Sequence, residues 1–189
     1  MHSMRELPAS YELVRKINLQ KDKKDFFWVN FICLVIFAVM IAIVLQFVSL
    51  DVLFPEGASK QIVFWVVFVL YMVLHELTHA AAMKYFGGHK MRFGFTGLYA
   101  YAGSEEDYFD KKAYIVIALA PFVVWTIIFT VVCFLVPRDW FGVTYFLQVG
   151  NVSGCGGDLY VSFLMRKYPS DTWVKDTGLE MFVYQSKNV

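Results

Sequence analysis

The sequence predicts an all-α integral membrane protein: four transmembrane helices, a short membrane-associated β-hairpin or re-entrant loop, and a small cytosolic C-terminal hairpin. Three observations carry that expectation. The 189 residues are 58% hydrophobic and 19% aromatic with a mean hydropathy of +0.52, whereas soluble domains run nearer about 45–50% apolar. The apolar residues gather into four runs, 26–48, 62–85, 113–136 and 141–165, each long enough to cross a hydrocarbon layer of about 30 Å as a helix. Lys and Arg alternate across those runs. Fifteen of the 17 lie in the N-terminal segment, between the second and third runs or at the adjoining end of the second (Lys84), or after the fourth, which leaves only Lys60 and Arg138 for the other two loops. By the positive-inside rule that pattern places both termini in the cytosol of a multi-pass cell-membrane protein.

Composition also excludes classes. A net charge of +1 with no basic cluster gives no footing for nucleic acid, so the expected partners are the lipid bilayer and a membrane protein or peptide. Cys33, Cys133 and Cys155 all fall inside apolar runs, which argues for small buried residues rather than a disulfide framework. The charged first 25 residues and the length of the first run predict no cleavable leader.

Residues 1–25 read as a cytosolic lead-in, with Leu13, Val14, Ile17 and Leu19 able to lie at the membrane interface or to stay disordered. The first run holds only Asn30 and Gln46 as polar interruptions near its ends, so it predicts packing. Pro55 and Gly57 mark a turn before the second run.

The second run contains His75-Glu76-Leu77-Thr78-His79. On a helix, residues four apart share a face one turn above the other. Two imidazoles so placed can hold one metal ion, usually zinc, with the intervening glutamate beside the metal's water as general base. Glu and His are costly in lipid and seldom sit there without a task. Gly87-Gly88 then end the helix.

Residues 91–102 are aromatic and Gly-rich, too short to span, and partly alternating. They predict a hairpin or re-entrant loop turning near Thr96-Gly97, which beside a metal site can take an extended substrate as an added strand. His89 reads as a loop surface histidine rather than an extra ligand. The acidic stretch 104–110 suits a helix start, and Pro121 predicts a kink in the third run.

The fourth run holds Gly150, Asn151, Ser153, Gly154, Gly156, Gly157 and Asp158. Small residues at 150, 153, 154 and 157 permit close helix contact or local unwinding. Asp158 lies roughly 10 Å from the cytosolic end of its run, level with His75 and His79 on a run of the same direction. A tetrahedral zinc site wants a third protein ligand, and Asp158 is the candidate at that height. Asn151 shares its face and is positioned to hydrogen-bond the substrate backbone or an oxyanion, or to act as packing glue. In the tail, runs 172–175 and 179–184 around Asp176-Thr177-Gly178 predict the C-terminal hairpin.

These residues resemble the intramembrane metalloproteases of the site-two protease class, and more closely a family of small four-span bacterial membrane proteins of zincin peptidase type. The resemblance rests on 75–79, on Ala120-Pro121, on the Gly150-Asn151…Gly154…Asp158 element and on the tail hairpin, and it covers most of the chain from Leu7. It implies zinc held by His75, His79 and Asp158, Glu76 as general base, and a metallopeptidase-like domain over 26–165 between a cytosolic N-terminal segment, 1–25, and a cytosolic tail, 166–189. Gly154 stands where the site-two pattern usually has proline, and Leu159 where it has glycine. The expected activity is zinc-dependent endopeptidase action on membrane or membrane-proximal substrates. The competing expectation is a non-catalytic metal-binding scaffold or sensor, and the discriminating residue is Glu76, which a metal store does not need.

Overall fold

The computed structural model describes residues 2–18, 21–54, 57–97 and 99–187; Leu19, Pro55 and Leu98 of the segments above lie outside them. Three helices are long and apolar enough to cross a membrane: α1 (Lys23–Val44), α3 (Ala58–Tyr85) and α4 (Lys111–Leu135). A four-residue helix, α2 (Leu50–Leu53), lies between the first two. Only 6%, 6% and 22% of the most apolar stretches of α1, α3 and α4 are buried by the protein itself. Surfaces such as Phe27, Leu34, Trp65 and Val66 are more than half exposed or nearly so, an arrangement that lipid satisfies and water does not. Asp22 caps α1 by accepting from the amides of Lys24 and Asp25, as an extended N-cap acid does.

The fourth apolar run departs from the single helix that its length predicts. It divides into α5 (Phe141–Gly154) and α6 (Gly156–Leu164), broken at Cys155, whose φ of −73° and ψ of 9° leave the helical region. Glycines on both sides of Cys155 make the break inexpensive. Gly156 has a second function: a side chain there would collide with the Cys33 sulfur, so glycine lets α6 approach α1. The result is a separate short helix with Asp158 in its first turn.

The all-α expectation is also corrected. Beyond the helices lies a five-stranded antiparallel sheet in the order β1-β5-β6-β7-β2, made of β1 (Ser3–Met4), β2 (Tyr11–Ile17), β5 (Tyr108–Asp110), β6 (Trp173–Asp176) and β7 (Met181–Ser186). The tail hairpin is β6 and β7, and its outer edge pairs with the N-terminal segment, Tyr11 opposite Ser186 and Ile17 opposite Met181. This part of the lead-in is therefore an ordered strand rather than a free tail: Ile17 is buried in the core, while Leu13 and Val14 stay exposed. A second, two-stranded sheet joins β3 (Arg92–Phe95) to β4 (Ala100–Gly103), which is the hairpin alternative of the two expected for this stretch.

The sheet closes one end of the helical bundle. Ile17, Phe109, Val174 and Val183 from its strands pack on Met83 of α3, Tyr114 and Ile117 of α4 and Leu164 of α6. Among the helices, α4 packs on α3, α5 and α6, while α1 packs on α5 and α6. β4 lies along α3 at the level of the histidines, and a hydrogen-bonded clamp fastens the base of its hairpin. There Asp107 accepts from the His89 backbone amide (2.8 Å) and the Ser104 hydroxyl (2.7 Å) and meets His89 Nδ1 at 2.9 Å. Burial raises the Asp107 carboxyl, but these donors outweigh it and hold the group below the usual carboxylate range. At the start of α4, Asp110 caps the helix through the amide of Ala113 (2.8 Å).

Candidate metal centre

His75 and His79 lie one turn apart on α3, with ring centroids 5.0 Å apart. Asp158 enters from the first turn of α6. Its two oxygens meet the two rings separately, Oδ2 at 3.5 Å from His75 Nε2 and Oδ1 at 3.4 Å from His79 Nε2. One ligand atom from each of the three residues lies within 4.8 Å of the others. The His–Asp separations match the spacing of about 3.3 Å that neighbouring ligands have around a tetrahedral ion with bonds near 2.0–2.1 Å.

The hydrogen bonds behind the rings decide which nitrogen faces inward. His79 Nδ1 lies 3.0 Å from the carbonyl oxygen of Ile117. A carbonyl only accepts, so Nδ1 carries the proton and Nε2 presents a lone pair. That carbonyl is available for a local reason. Residue 121, four positions on, is Pro121 inside α4, which has no N–H to return to Ile117 and whose ring displaces the i−4 carbonyl. The expected kink residue is thus also what releases an acceptor for His79.

His75 is fixed in the same tautomer from the other side. Its Nδ1 lies 3.1 Å from the Tyr71 hydroxyl, whose single proton goes to Asn151 Oδ1 at 2.9 Å. The hydroxyl therefore accepts from His75 Nδ1–H, leaving Nε2 again unprotonated and inward. Asn151 in turn donates to Thr126 Oγ1 at 3.0 Å. It is fully buried, and its amide is engaged behind His75 rather than presented to a substrate.

The donor set fits a cation. Two neutral Nε2 lone pairs and a carboxylate converge, and three acceptors without a positive charge between them repel. A second proton on either ring would instead turn its Nε2 into a donor to Asp158, an ion pair that leaves one ligand lone pair fewer. Orientation of each ring through Nδ1 is the usual outer support of metal-ligating histidines. Glu76 adjoins this group, facing both histidines and the backbone of Ala102 on β4. Among the described residues β4 pairs with β3 alone, and its other side borders a cavity of about 380 Å³ that also contains His75, Glu76, His79 and Asp158. His89 stands apart in its clamp with Asp107, and Cys155 Sγ turns to Asn151 Oδ1 at 3.9 Å. Tyr71, Pro121, Tyr114 and Asp176 are the site-forming residues that sequence reasoning missed. Of these, Pro121 carried a local signal for a kink and Asp176 one for a turn; neither pointed to the site.

A helix bearing His-Glu-x-x-His, with an acid supplied from a later helix, defines a site of the zincin class. The chain belongs to the family described as "putative zincin peptidase", which matches residues 67–173, from the turn before Tyr71 to the first residue of β6. No curated protein and no solved structure matches it.

The role of Pro121 gives a first expected outcome. In Pro121→Ala the restored amide bonds back to Ile117 O and competes with His79 Nδ1–H. Zinc affinity should fall on the order of tenfold, as for other outer-support changes, with the helix itself no less stable. Chelator competition on the purified protein measures this, and an unchanged affinity would remove Pro121 from the site.

Proposed function

We propose that the protein is a zinc-dependent membrane-embedded endopeptidase acting on membrane or membrane-proximal substrates. The observation that supports this most is the paired tautomer arrangement: two Nε2 lone pairs and the Asp158 carboxylate aimed at one point, with Glu76 adjoining them and the unpaired side of β4 opposite. His75, His79 and Asp158 would hold the metal; when bound, zinc would supply Lewis acidity and a water acidified to a pKa of about 7.

The remaining work belongs to the chain's own groups. The Glu76 carboxylate takes a proton from the attacking water and passes it to the leaving amine nitrogen. Substrate lies extended along β4 as an added strand, its carbonyls and amides meeting the strand's unpaired groups. A helical substrate must first unwind, because its amides are bonded within the helix. Asn151 acts through Tyr71 by holding the His75 ring. A metal-binding scaffold needs the same three ligands but not Glu76. The deciding experiment compares membrane-protein fragments in cells expressing wild type or Glu76→Gln; fragments that appear equally with both exclude the peptidase.

The proposal includes topology. α5 and α6 together make the fourth crossing, both termini and the five-stranded sheet are cytosolic, and the centre lies beneath the inner surface. Reporter fusions after residues 1, 55, 138 and 189 should read in, out, out and in, as the Lys and Arg alternation requires. A C-terminus on the outer face would overturn this placement and the proposed cytosolic sheet with it.

A further inference from the structure

The cavity that holds the metal-centre residues does not end there. It extends to the β6–β7 turn, where Asp176, Gly178, Leu179 and Glu180 line it. The hairpin leads to the same place. β4 ends at Gly103, which packs so closely on Thr177 and Gly178 that any side chain would collide with their backbone. The next amide, of Ser104, donates to the carbonyl of Asp176 at 2.7 Å. A chain laid along β4 past Glu76 is therefore guided to Asp176.

Four acids line this cavity, and among the described residues no Lys or Arg does. Glu76 and Asp158 belong to the centre. Glu180 is already matched, by Lys16 Nζ at 2.8 Å and Asn18 Nδ2 at 3.1 Å. Asp176 is different. Its Oδ2 accepts from the Tyr114 hydroxyl at 2.7 Å and its Oδ1 from the Gly178 amide at 2.8 Å. Both donors are neutral, and no cation among the described residues lies within ion-pair distance. Two neutral hydrogen bonds fill half the acceptor capacity of a carboxylate and do not cancel its charge. Burial accordingly pushes the Asp176 carboxyl above the ordinary range. A turn residue needs only the Gly178 bond, and an Asn or Ser would make it equally well. The bond from Tyr114 instead holds the carboxylate toward the cavity.

We propose that Asp176 is the specificity residue of the site, selecting substrates that carry a lysine or arginine close to the scissile bond. The inference rests on the peptidase reading above and gives it a substrate class. A membrane-spanning segment has Lys or Arg at its cytosolic end by the same rule that orients this chain. A long basic side chain buries its methylenes while its charge seeks a polar partner. The cavity lining combines apolar Ile17, Val161 and Met181 with Asp176, which suits both halves of that side chain. Lysine and arginine differ in how they meet the carboxylate, arginine as a two-pronged donor and lysine as a point charge.

The test uses full-length protein in nanodiscs and labelled single-span peptides in which one juxtamembrane position is Lys, Arg, Gln or Glu. Two readouts are taken: kcat/KM on the zinc-loaded protein, and binding of the same peptides to the Glu76→Gln protein by fluorescence anisotropy. Lys and Arg peptides should exceed the Gln peptide on the order of tenfold, through KM rather than kcat, with Glu poorest. Asp176→Asn keeps one acceptor oxygen for the Gly178 amide and turns its NH2 to the Tyr114 hydroxyl, which can accept, and it should reduce the Lys-to-Gln ratio to about one. A wild-type ratio near one in both readouts, or a ratio that survives Asp176→Asn, overturns the assignment. The wild-type peptide series decides the matter even where the variant fails to fold. Glu76-dependent cleavage with no basic preference sinks this inference alone. Cleavage that persists in Glu76→Gln sinks the peptidase reading, while the anisotropy arm still reports on Asp176.

Discussion

Glu76→Gln is expected to lower peptide hydrolysis by about 10²–10⁴-fold, the usual worth of a positioned general base, while zinc content and thermal stability stay close to wild type. Glutamine is nearly isosteric and still polar, so packing against Ala102 and the histidines changes little. None of the groups that orient the rings is touched: Ile117 O still receives His79 Nδ1–H, and Tyr71 still receives His75 Nδ1–H. What glutamine cannot do is accept a proton. The loss should fall mainly on kcat, since the interaction removed is made while the water is being deprotonated and not while substrate binds. Single-turnover cleavage of a quenched membrane peptide, measured beside metal analysis of the same preparation, checks both halves. Equal rates in the two proteins would leave a metal-binding scaffold as the better account. Equal loss of zinc and rate would mean that Glu76 supports the metal instead of the proton.

The parts of this molecule that sequence made legible are those set by local rules. Apolar runs of more than about 20 residues have few alternatives to a crossing helix, and α1, α3 and α4 lie where those runs do. His75 and His79 share a face because they are four apart on one helix, whatever surrounds them. The β3–β4 and β6–β7 hairpins followed from alternation and turn residues. The parts that were not legible depend on partners distant in the chain. β2 becomes a strand only because β7 supplies its hydrogen bonds from some 170 residues away, and nothing within Tyr11–Ile17 names that partner. The break at Cys155 needs α1 to come close enough for Gly156 to meet Cys33; glycine permits a break without requiring one. Asn151 shares a helix face with Asp158, but the helical wheel does not show that Tyr71 links it to His75. Asp176 has the sequence signature of a turn, and only the sheet brings that turn to the metal centre. Pro121 announced a helix defect; which histidine would use the released carbonyl is information held by the packing of α3 on α4.

Asp158→Ala is expected to abolish stable zinc binding, with affinity lower by more than about a hundredfold, since loss of an outer support alone typically removes 10–100-fold. The carboxylate contributes the only negative charge among the three converging groups, and without it two neutral imidazoles must hold a divalent ion by themselves. Hydrolysis should be lost with the metal, a more complete defect than that of Glu76→Gln. The fold should survive, because α6 is held by Gly156 against α1 and by Val161 and Leu164 in the core beneath the sheet. Asp158→Asn separates charge from shape: it keeps the side-chain volume and one acceptor oxygen, and should bind zinc more weakly than wild type but more tightly than Asp158→Ala. Cys155→Ser is the control for the other metal-capable side chain on this run, and should leave zinc unchanged because Sγ faces Asn151. Metal content after purification, followed by chelator competition, ranks the four proteins. An Asp158→Ala protein that holds one zinc as tightly as wild type would show that the third ligand lies elsewhere. The 3.4 and 3.5 Å approaches of Asp158 to the two rings would then be those of an ordinary buried ion pair, in which at least one of the histidines carries a second proton.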